Sequence, residues 1–168
     1  MALFIATSNF ETCITSQPMC LRVTPAELIW RHAETEHDLI ACYPVMHELR
    51  PKLQTPQMFF ERAHVQRLQG WRLLAEWQGT VPIAIAGYRI MDNLVHGHFI
   101  YVDDLVTADG ARRSGAGRRL LAEIERIGRA EGCGKLVLDT ALVNNLAQRF
   151  YFRCGLLSTG LHFTKVLL

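Results

Sequence analysis

Apolar and polar positions alternate in several segments of the chain, and this alternation predicts β-strands. In the first segment, "ELIWRHAE", Leu28, Trp30 and His32 fall on one side of an extended chain. Three further segments alternate in the same way and are joined by turns at Gln78-Gly79 and Asp92-Asn93, which predicts an antiparallel meander. These segments are "WRLLAEW", "VPIAIAGYRIM" and "HGHFIYVDDLVT".

Four other segments have helical periodicity. Thr35 precedes "EHDLIACYPVMHEL", a helix that we expect to be interrupted at Pro44 and to end before Pro51. A second helix is predicted from Pro56 to Gln69, and a fourth over "NNLAQRFYFRC" up to Gly155. The third has an apolar stripe at the i, i+3, i+4, i+7 spacing of an amphipathic helix. Its stripe consists of Leu120, Leu121, Ile124, Ile127 and Gly128.

The order of these elements predicts a mixed α/β fold. "KLVLDT" is a short apolar run that fits a buried strand, parallel to "IYVDDLVT" because a helix connects the two. "LHFTKVLL" is predicted to close the chain as a strand, so the full order is β-α-α-β-β-β-α-β-α-β. Residues 27–168 contain no repeat or linker and are predicted to form a single domain. Residues 1–26 lack periodicity and are predicted to be an irregular N-terminal extension.

Composition narrows the classes of function. The 168 residues are 49% hydrophobic and 20% charged, which is typical of a globular protein. The net charge of +2 is too small to favour nucleic acid or a membrane surface as a partner. The five cysteines form no CxxC pair and no Cys/His metal spacing, so we expect reduced thiols in the cytoplasm and no metal. We identify neither a signal peptide nor a membrane span.

The third predicted helix begins in the unusual segment "ARRSGAGRRLLAEIERI". Gly115 and Gly117 are poor helix formers, but they let an anion approach the unpaired N–H groups of a helix N-terminus. Arginines on both sides of these glycines add positive charge. A cradle for a phosphate or pyrophosphate group is one interpretation. A glycine turn that only caps an exposed helix is the other.

The motifs around this loop occur in a characteristic order. "YVDDLVT" precedes Arg112-x-x-Gly115-x-Gly117, "GCGKLVLDT" follows it, and Asn144-x-x-Ala147-x-x-x-Tyr151-x-x-x-Gly155 comes next. Together they resemble the GNAT superfamily of acyl-CoA-dependent N-acyltransferases, and the match spans about residues 81–168. The resemblance implies the GNAT fold. It also implies direct transfer of the acetyl group of acetyl-CoA to a primary amine of a small molecule or peptide.

The resemblance also implies a binding mode for acetyl-CoA. The pyrophosphate would lie on the loop after "YVDDLVT" and on the first turn of the third helix, and the pantetheine arm along the end of that strand. Asn144 matches a position whose side chain holds pantetheine, while a helix N-cap is its alternative role. The implied cofactor-binding residues are Leu105, Val106, Thr107, Arg112, Arg113, Ser114, Gly115, Ala116, Gly117, Arg118 and Asn144.

The resemblance further implies two catalytic residues. Tyr151 matches a tyrosine that protonates the leaving thiolate, and a half-buried helix aromatic is its alternative role. Asp103 matches a position where some members carry a general base. Because Asp103 and Asp104 are adjacent, we expect them to point to opposite sheet faces, with Asp104 ordering nearby backbone. His96 and His98 alternate onto one strand face and are the alternative base.

The acceptor site and the overall role leave alternatives open. Glu48 and Arg50 are the charged candidates for acceptor binding, and a solvated loop is the other interpretation of both. Cys133 and Cys154 have no sequence neighbour that would activate a thiol as a nucleophile. The competing functions are a non-catalytic acyl-CoA-binding module and an acyltransferase for longer acyl chains. Homodimers are common in the family that the sequence resembles.

Overall fold

The structure, a computed structural model, describes residues 27–167, and the prediction for residues 1–26 lies outside this range. Within it the chain forms one five-stranded sheet and four α-helices, which confirms the first nine elements of the predicted order. The elements are β1 (Leu28–His32), α1 (Glu36–Leu49), α2 (Pro56–Arg67), β2 (Arg72–Gln78), β3 (Val81–Asn93), β4 (Gly97–Thr107), α3 (Ala116–Ala130), β5 (Lys135–Leu138) and α4 (Asn145–Arg153).

Both α1 and α2 have a threonine as the N-cap residue. Thr35 Oγ1 accepts a hydrogen bond of 3.1 Å from the backbone N–H of Asp38, and Thr55 caps α2 in the same way. The predicted interruption at Pro44 is wrong, because α1 is continuous through it. A proline removes only one backbone hydrogen bond, and the buried side chains of Cys42 and Val45 hold the helix on the core on either side.

The sheet has the order β1-β2-β3-β4-β5. All neighbours are antiparallel except β4 and β5, which are parallel and connected by α3, as the sequence predicts. The turn between β3 and β4 is closed by Asn93, whose Oδ1 accepts hydrogen bonds from the backbone N–H groups of Val95 and His96. Helix α3 therefore spans the parallel pair, and its N-terminus follows the C-terminal end of β4.

Two apolar clusters hold helices on opposite faces of the sheet. Ile85 and Val106 belong to the cluster that contains the buried side chains of α1 and α2. Ala84 and Ala86 belong to the cluster that contains the apolar stripe of α3. Because both faces of the central strands are covered, residues 73–77 of β2 and residues 84–88 of β3 are buried.

The predicted closing strand is absent from the described part of the C-terminal segment. No strand occurs between residues 156 and 167, so the prediction of a strand over "LHFTKVLL" is wrong. The preceding strand, β5, has only four residues and so offers a short edge for pairing. The apolar side chains of the segment, such as Leu161 and Phe163, are consequently exposed.

Candidate active site

A β-bulge near the end of β4 determines where two adjacent aspartates lie. Gly87 pairs with Asp104 and Tyr88 pairs with Val102, so Asp103 is an extra residue without a partner on β3. A bulge interrupts the alternation of side chains between the two faces of a sheet. The expectation that adjacent strand residues point to opposite faces therefore does not apply to Asp103 and Asp104.

Arginines from the α1 and α2 side of the sheet contact both aspartates. Arg50, at the C-terminal end of α1, donates from Nε to Asp104 Oδ1 at 2.7 Å and from Nη2 to the main-chain oxygen of Asp103 at 2.9 Å. Arg89 donates from Nε to Asp103 Oδ2 at 2.9 Å and from Nη2 to Gln66 of α2 at 3.0 Å. Both carboxylates thus lie on the α1 and α2 face, and the prediction of opposite faces is wrong.

The two aspartates differ in their surroundings. Asp104 is 9% exposed, and burial raises the pKa of its carboxyl, while the charge of Arg50 offsets part of that rise. The side chain of Asp103 is 20% exposed and is held by Arg89. The site therefore contains two carboxylates on one face, of which Asp104 is the more deeply buried.

One edge of β4 is open at its C-terminal end. β5 pairs with β4 only from Phe99 to Val102, and no other strand within residues 27–167 lies beside that edge further on. Leu105, Val106 and Thr107 pair with β3 on their other side. Their strand is thus bordered on one edge only, so an extended ligand can approach main-chain groups there.

The loop after β4 leaves the N-terminus of α3 open. Gly115 is the N-cap, has φ 84° and contributes no side-chain cap, while Ser114 Oγ accepts only a long contact of 3.4 Å from Ala116 N–H. Arg113 has φ 65° and is the one non-glycine residue between 27 and 167 with a positive φ. Such strained conformations cluster at functional sites. This geometry is suited to an anion on the first turn of α3.

The arginines around this loop have different partners. Arg112 donates to Glu48 of α1 at 2.8 Å and forms a second ion pair with Asp109. Glu48 also accepts from the backbone N–H of Asp109 at 3.1 Å. Glu48 therefore connects the loop to the end of α1, which is a different role from the predicted binding of the acceptor.

Arg119 is also paired with a carboxylate of the protein. It donates from Nε and Nη2 to the two carboxylate oxygens of Glu76, at 2.6 and 3.0 Å, and Glu76 is 1% exposed. Arg113 and Arg118 are exposed beside the open helix end. These two side chains are the ones placed to attract an anionic ligand.

Helix α4 approaches the same region. Asn144 is its N-cap, and Oδ1 accepts from the Ala147 backbone N–H at 3.2 Å, which is the alternative role that the sequence left open. Gly117 of α3 lies close to both Phe150 of α4 and Thr107 of β4, since a Cβ atom on Gly117 would be 3.5 Å from Phe150 and 3.6 Å from Thr107. The end of β4, the start of α3 and α4 thus meet.

Tyr151 follows Phe150 on α4 and is half-buried beside it, with ring centroids 5.4 Å apart. Burial raises the pKa of Tyr151, so the phenol is protonated at neutral pH. A protonated phenol is the form that can donate a proton to a leaving thiolate.

The histidines considered as an alternative base lie elsewhere. His96 is in the turn before β4, so it does not share a strand face with His98. His98 contacts Asp92 at 2.9 Å and the main-chain oxygen of Glu131 at 3.1 Å, just beyond the C-terminal end of α3. A helix of 15 residues is about 22 Å long, so His98 lies far from the open N-terminus of α3. This position does not favour a histidine as the base.

A cavity of about 500 Å³ lies between α1, α2 and β4, with Arg50, Trp71 and Asp104 among its lining residues. Of these, only Arg50 was expected at the acceptor site. Sequence reasoning missed Trp71, Gly87 and Arg89. A glycine inside a strand pattern is a signal for a bulge or a close approach, and that signal was available at Gly87. Trp71 and Arg89 have no comparable local signal.

Between residues 27 and 167 no group of three or more His, Cys, Asp or Glu side chains is arranged to hold a metal ion. None of the helices there has the length and apolar character needed to cross a membrane. Burial raises the pKa of the Cys133 thiol, which disfavours its nucleophilic thiolate form.

Three known proteins that are named as N-acetyltransferases are similar to this chain in sequence or in fold. An uncharacterized N-acetyltransferase, YhdJ, of Bacillus subtilis strain 168 is 32% identical over 111 residues, which is 65% of this chain and 77% of that protein. An aminoglycoside N(6')-acetyltransferase type 1 of Serratia marcescens is 32% identical over 59 residues, or 35% of this chain and 40% of that protein. The structure of aminoglycoside N-acetyltransferase AAC(6')-Iy in complex with CoA is similar in fold, with a TM-score of 0.74, 17% identity and coverage of 88% of this chain and 100% of that one.

The family comparison agrees with these relatives. The model of the acetyltransferase (GNAT) family matches residues 32–156, which contain every element from the end of β1 to α4. This range includes the bulge, the open edge of β4 and the open N-terminus of α3. The chain belongs to the GNAT acetyltransferase family and is an acyltransferase enzyme that transfers an acetyl group to an amine.

Proposed function

We propose that the enzyme uses acetyl-CoA to acetylate a primary amine of a small molecule or peptide by direct transfer. The observation that carries this proposal is the open edge of β4, which leads directly to the open N-terminus of α3. The pantetheine arm would pair with Leu105, Val106 and Thr107 along that edge. The pyrophosphate would lie on the loop and helix turn from Arg113 to Arg118. The presence of CoA in the AAC(6')-Iy structure supports this choice of co-substrate.

The proposed chemistry proceeds through a tetrahedral intermediate. A carboxylate accepts the proton of the amine, the amine nitrogen attacks the thioester carbonyl, and the carbon–sulfur bond breaks. A backbone N–H on the open edge of β4 would stabilise the developing oxyanion. Tyr151 would protonate the thiolate of CoA, and Asp103 would be the general base. Asp104, which lines the cavity, is a second candidate for the base.

Replacing Tyr151 by phenylalanine tests the role of the acid. The substitution removes the hydroxyl and keeps the ring beside Phe150, so the packing of α4 is retained. General acid–base groups contribute about 10²–10⁴-fold, and we expect kcat to fall within that range while KM for acetyl-CoA changes little. The measurement is release of free thiol at saturating acetyl-CoA, with Phe152→Leu on the same helix as the control. An unchanged kcat in Tyr151→Phe would refute the assignment.

Substitution of the aspartates separates the two candidate bases. Asp103→Asn and Asp104→Asn each remove one carboxylate and retain the shape of the side chain. If Asp103 is the base, Asp103→Asn lowers kcat/KM and removes the acidic limb of its pH profile, whereas Asp104→Asn keeps that limb. The opposite pattern would assign the base to Asp104. Retention of the limb in both variants would exclude both carboxylates.

Binding of acetyl-CoA tests the proposal as a whole and decides between the competing functions. A ligand at 100 times its Kd stabilises a protein by about 2.7 kcal/mol, so acetyl-CoA should raise Tm by several degrees. Amine-dependent release of thiol then distinguishes an enzyme from a non-catalytic acyl-CoA-binding module. A series of acyl-CoA substrates of increasing chain length identifies a preference for longer chains. Absence of any stabilisation by acetyl-CoA would refute the proposed function.

We extend the proposal to the oligomeric state of the protein and to its location in the cell. A homodimer is supported by the exposed apolar side chains of the C-terminal segment, including Leu161, Phe163 and Val166. Light scattering after size-exclusion chromatography would give the oligomeric mass directly, and a monomer at micromolar concentration would refute the dimer.

The free cysteines Cys42, Cys133 and Cys154 support a cytoplasmic location.

A further inference from the structure

The cavity beside Asp104 has the size and lining of a small-molecule site. Its volume of about 500 Å³ lies in the range of ligand pockets. Its apolar walls consist of Met46, Leu49, Phe59 and Ala63. Because Asp104 of β4 also lines the cavity, the cavity lies beside the open end of β4. An acceptor bound there would lie next to the strand along which the thioester is proposed to lie.

The charges that line this cavity are predominantly positive. Arg50, Lys52 and Arg62 are its cations, and Asp104 is its one carboxylate among residues 27–167. Arg50 is paired with Asp104. The side chains of Lys52 and Arg62 make no hydrogen bond or ion pair with any other residue in that part of the chain. Three cations against one carboxylate leave an excess of two positive charges.

A buried donor at the floor of the cavity also lacks an acceptor. Trp71 is 2% exposed, and its indole N–H has no hydrogen-bond partner among residues 27–167. A Cβ atom on Gly87 would be 2.5 Å from Trp71 Nε1 and 2.9 Å from Asp104 Oδ2, so these two atoms converge above the same glycine. Since Asp104 Oδ1 is bonded to Arg50, Oδ2 is the oxygen that faces Trp71. An unpaired buried donor costs about 1–3 kcal/mol, which points to an acceptor oxygen from a ligand.

We propose that the acceptor is a compact primary amine that also carries an anionic group, either a carboxylate or a phosphate. Its amine would donate to Asp104, an oxygen would accept from Trp71, and the anion would interact with Lys52 and Arg62. This inference rests on the proposed function, because it treats the cavity as the acceptor site of that reaction. A polycationic acceptor is disfavoured, since it would meet two uncompensated cations and a single carboxylate that already has a partner.

Matched pairs of amines test this selectivity. Leucine against leucinamide isolates the carboxylate, and phosphoethanolamine against ethanolamine isolates the phosphate. An aminoglycoside supplies the polycation. We expect the anionic member of at least one pair to have a kcat/KM about tenfold or more above the partner that lacks the anionic group, and above the aminoglycoside. The pair that shows this preference identifies the anionic group.

Variants of the two free cations test the residues themselves. In the double variant Lys52→Gln with Arg62→Gln, the preference for the anionic amine should disappear through a higher KM for that amine. KM for acetyl-CoA should change less, because neither residue belongs to the loop and helix turn from Arg113 to Arg118 that are proposed to hold the pyrophosphate. The matched control is Arg126→Gln, which removes an exposed arginine of α3 that does not line the cavity. A preference that survives the double variant would overturn the proposal.

A binding measurement covers the case in which no amine of the panel is acetylated. The indole N–H resonance of Trp71, identified by its loss in Trp71→Phe, should shift on addition of leucine or phosphoethanolamine but not of leucinamide or ethanolamine. Equal shifts with both members, no shift with any, or preferred turnover of the aminoglycoside would overturn the inference. If acetyl-CoA still stabilises the protein and any amine is acetylated, the proposed function stands without it. Failure of acetyl-CoA to bind would refute both.

Discussion

Gly87 shows how a single missing side chain shapes the site. It lies in β3 opposite Asp104, at the point where the bulge adds Asp103 to β4. The absence of a Cβ atom lets Trp71 Nε1 and Asp104 Oδ2 approach the strand closely. The position of both groups at the cavity floor therefore depends on this glycine, as does the burial that raises the pKa of Asp104.

Gly87→Ala should disturb the site and the fold together. The new Cβ would be 2.5 Å from Trp71 Nε1 and 2.9 Å from Asp104 Oδ2, distances at which the indole ring or the strand must move. Overpacking of this kind costs about 1–3 kcal/mol, so we expect a lower free energy of unfolding and a lower kcat/KM. Urea unfolding and thiol release are the measurements. Gly160→Ala is the control, because a Cβ there meets nothing within 4 Å. A Gly87→Ala variant with the stability of the parent protein would contradict the close approach.

At the scale of elements, an ion pair fixes the start of α3 on the sheet. Arg119 lies in the first turns of α3, and both of its bonds to Glu76 of β2 are shorter than 3.1 Å. Nη1 of the same arginine also donates to the main-chain oxygen of Ser114 at 3.0 Å. The loop that forms the proposed pyrophosphate site is therefore anchored to the sheet through Arg119 and Glu76.

Arg119→Met should destabilise the protein strongly. Glu76 is 1% exposed, so loss of its partner leaves a buried carboxylate uncompensated, which costs about 3–5 kcal/mol. The double variant Glu76→Leu with Arg119→Met should recover much of that loss, because it removes the buried charge as well. Chemical unfolding of the three proteins gives both values. Arg126→Met, which breaks an exposed pair with Glu123 on the same helix, should lower the free energy of unfolding much less than Arg119→Met does. Equal losses for Arg119→Met and Arg126→Met would contradict this account.

Local sequence patterns predicted most of these helices and strands but not which residues of different elements contact one another. The alternation in "HGHFIYVDDLVT" was enough to locate β4, and the apolar stripe of α3 was enough to locate that helix. The bulge at Asp103 was not predicted, because it depends on the register with Gly87 on another strand. The arginine-rich loop was recognised as a cluster, but which arginines are free depends on Glu48 and Glu76, which are distant in sequence.

For the whole molecule, the pH dependence of stability combines two histidines whose pKa values are shifted in opposite directions. His32 of β1 contacts Tyr88 of β3 at 2.9 Å, and burial lowers the pKa of His32, with a smaller contribution from Arg72. The hydrogen bond to Asp92 raises the pKa of His98, which is exposed. A lowered histidine pKa destabilises the folded state on acidification, whereas a raised one stabilises it.

Stability should therefore fall as the pH drops below about 6.5, the pKa of an unfolded histidine, toward the lower folded value of His32. His32→Gln should remove this loss, so that its free energy of unfolding changes less than that of the parent protein between pH 8 and pH 5. His98→Gln should steepen the loss, because the stabilising contribution of His98 is present at low pH and disappears as the pH rises through its raised pKa. Urea unfolding midpoints at several pH values measure all three proteins. A steeper acid loss in His32→Gln than in His98→Gln would reverse these assignments, and parallel profiles would show that neither histidine controls the pH dependence.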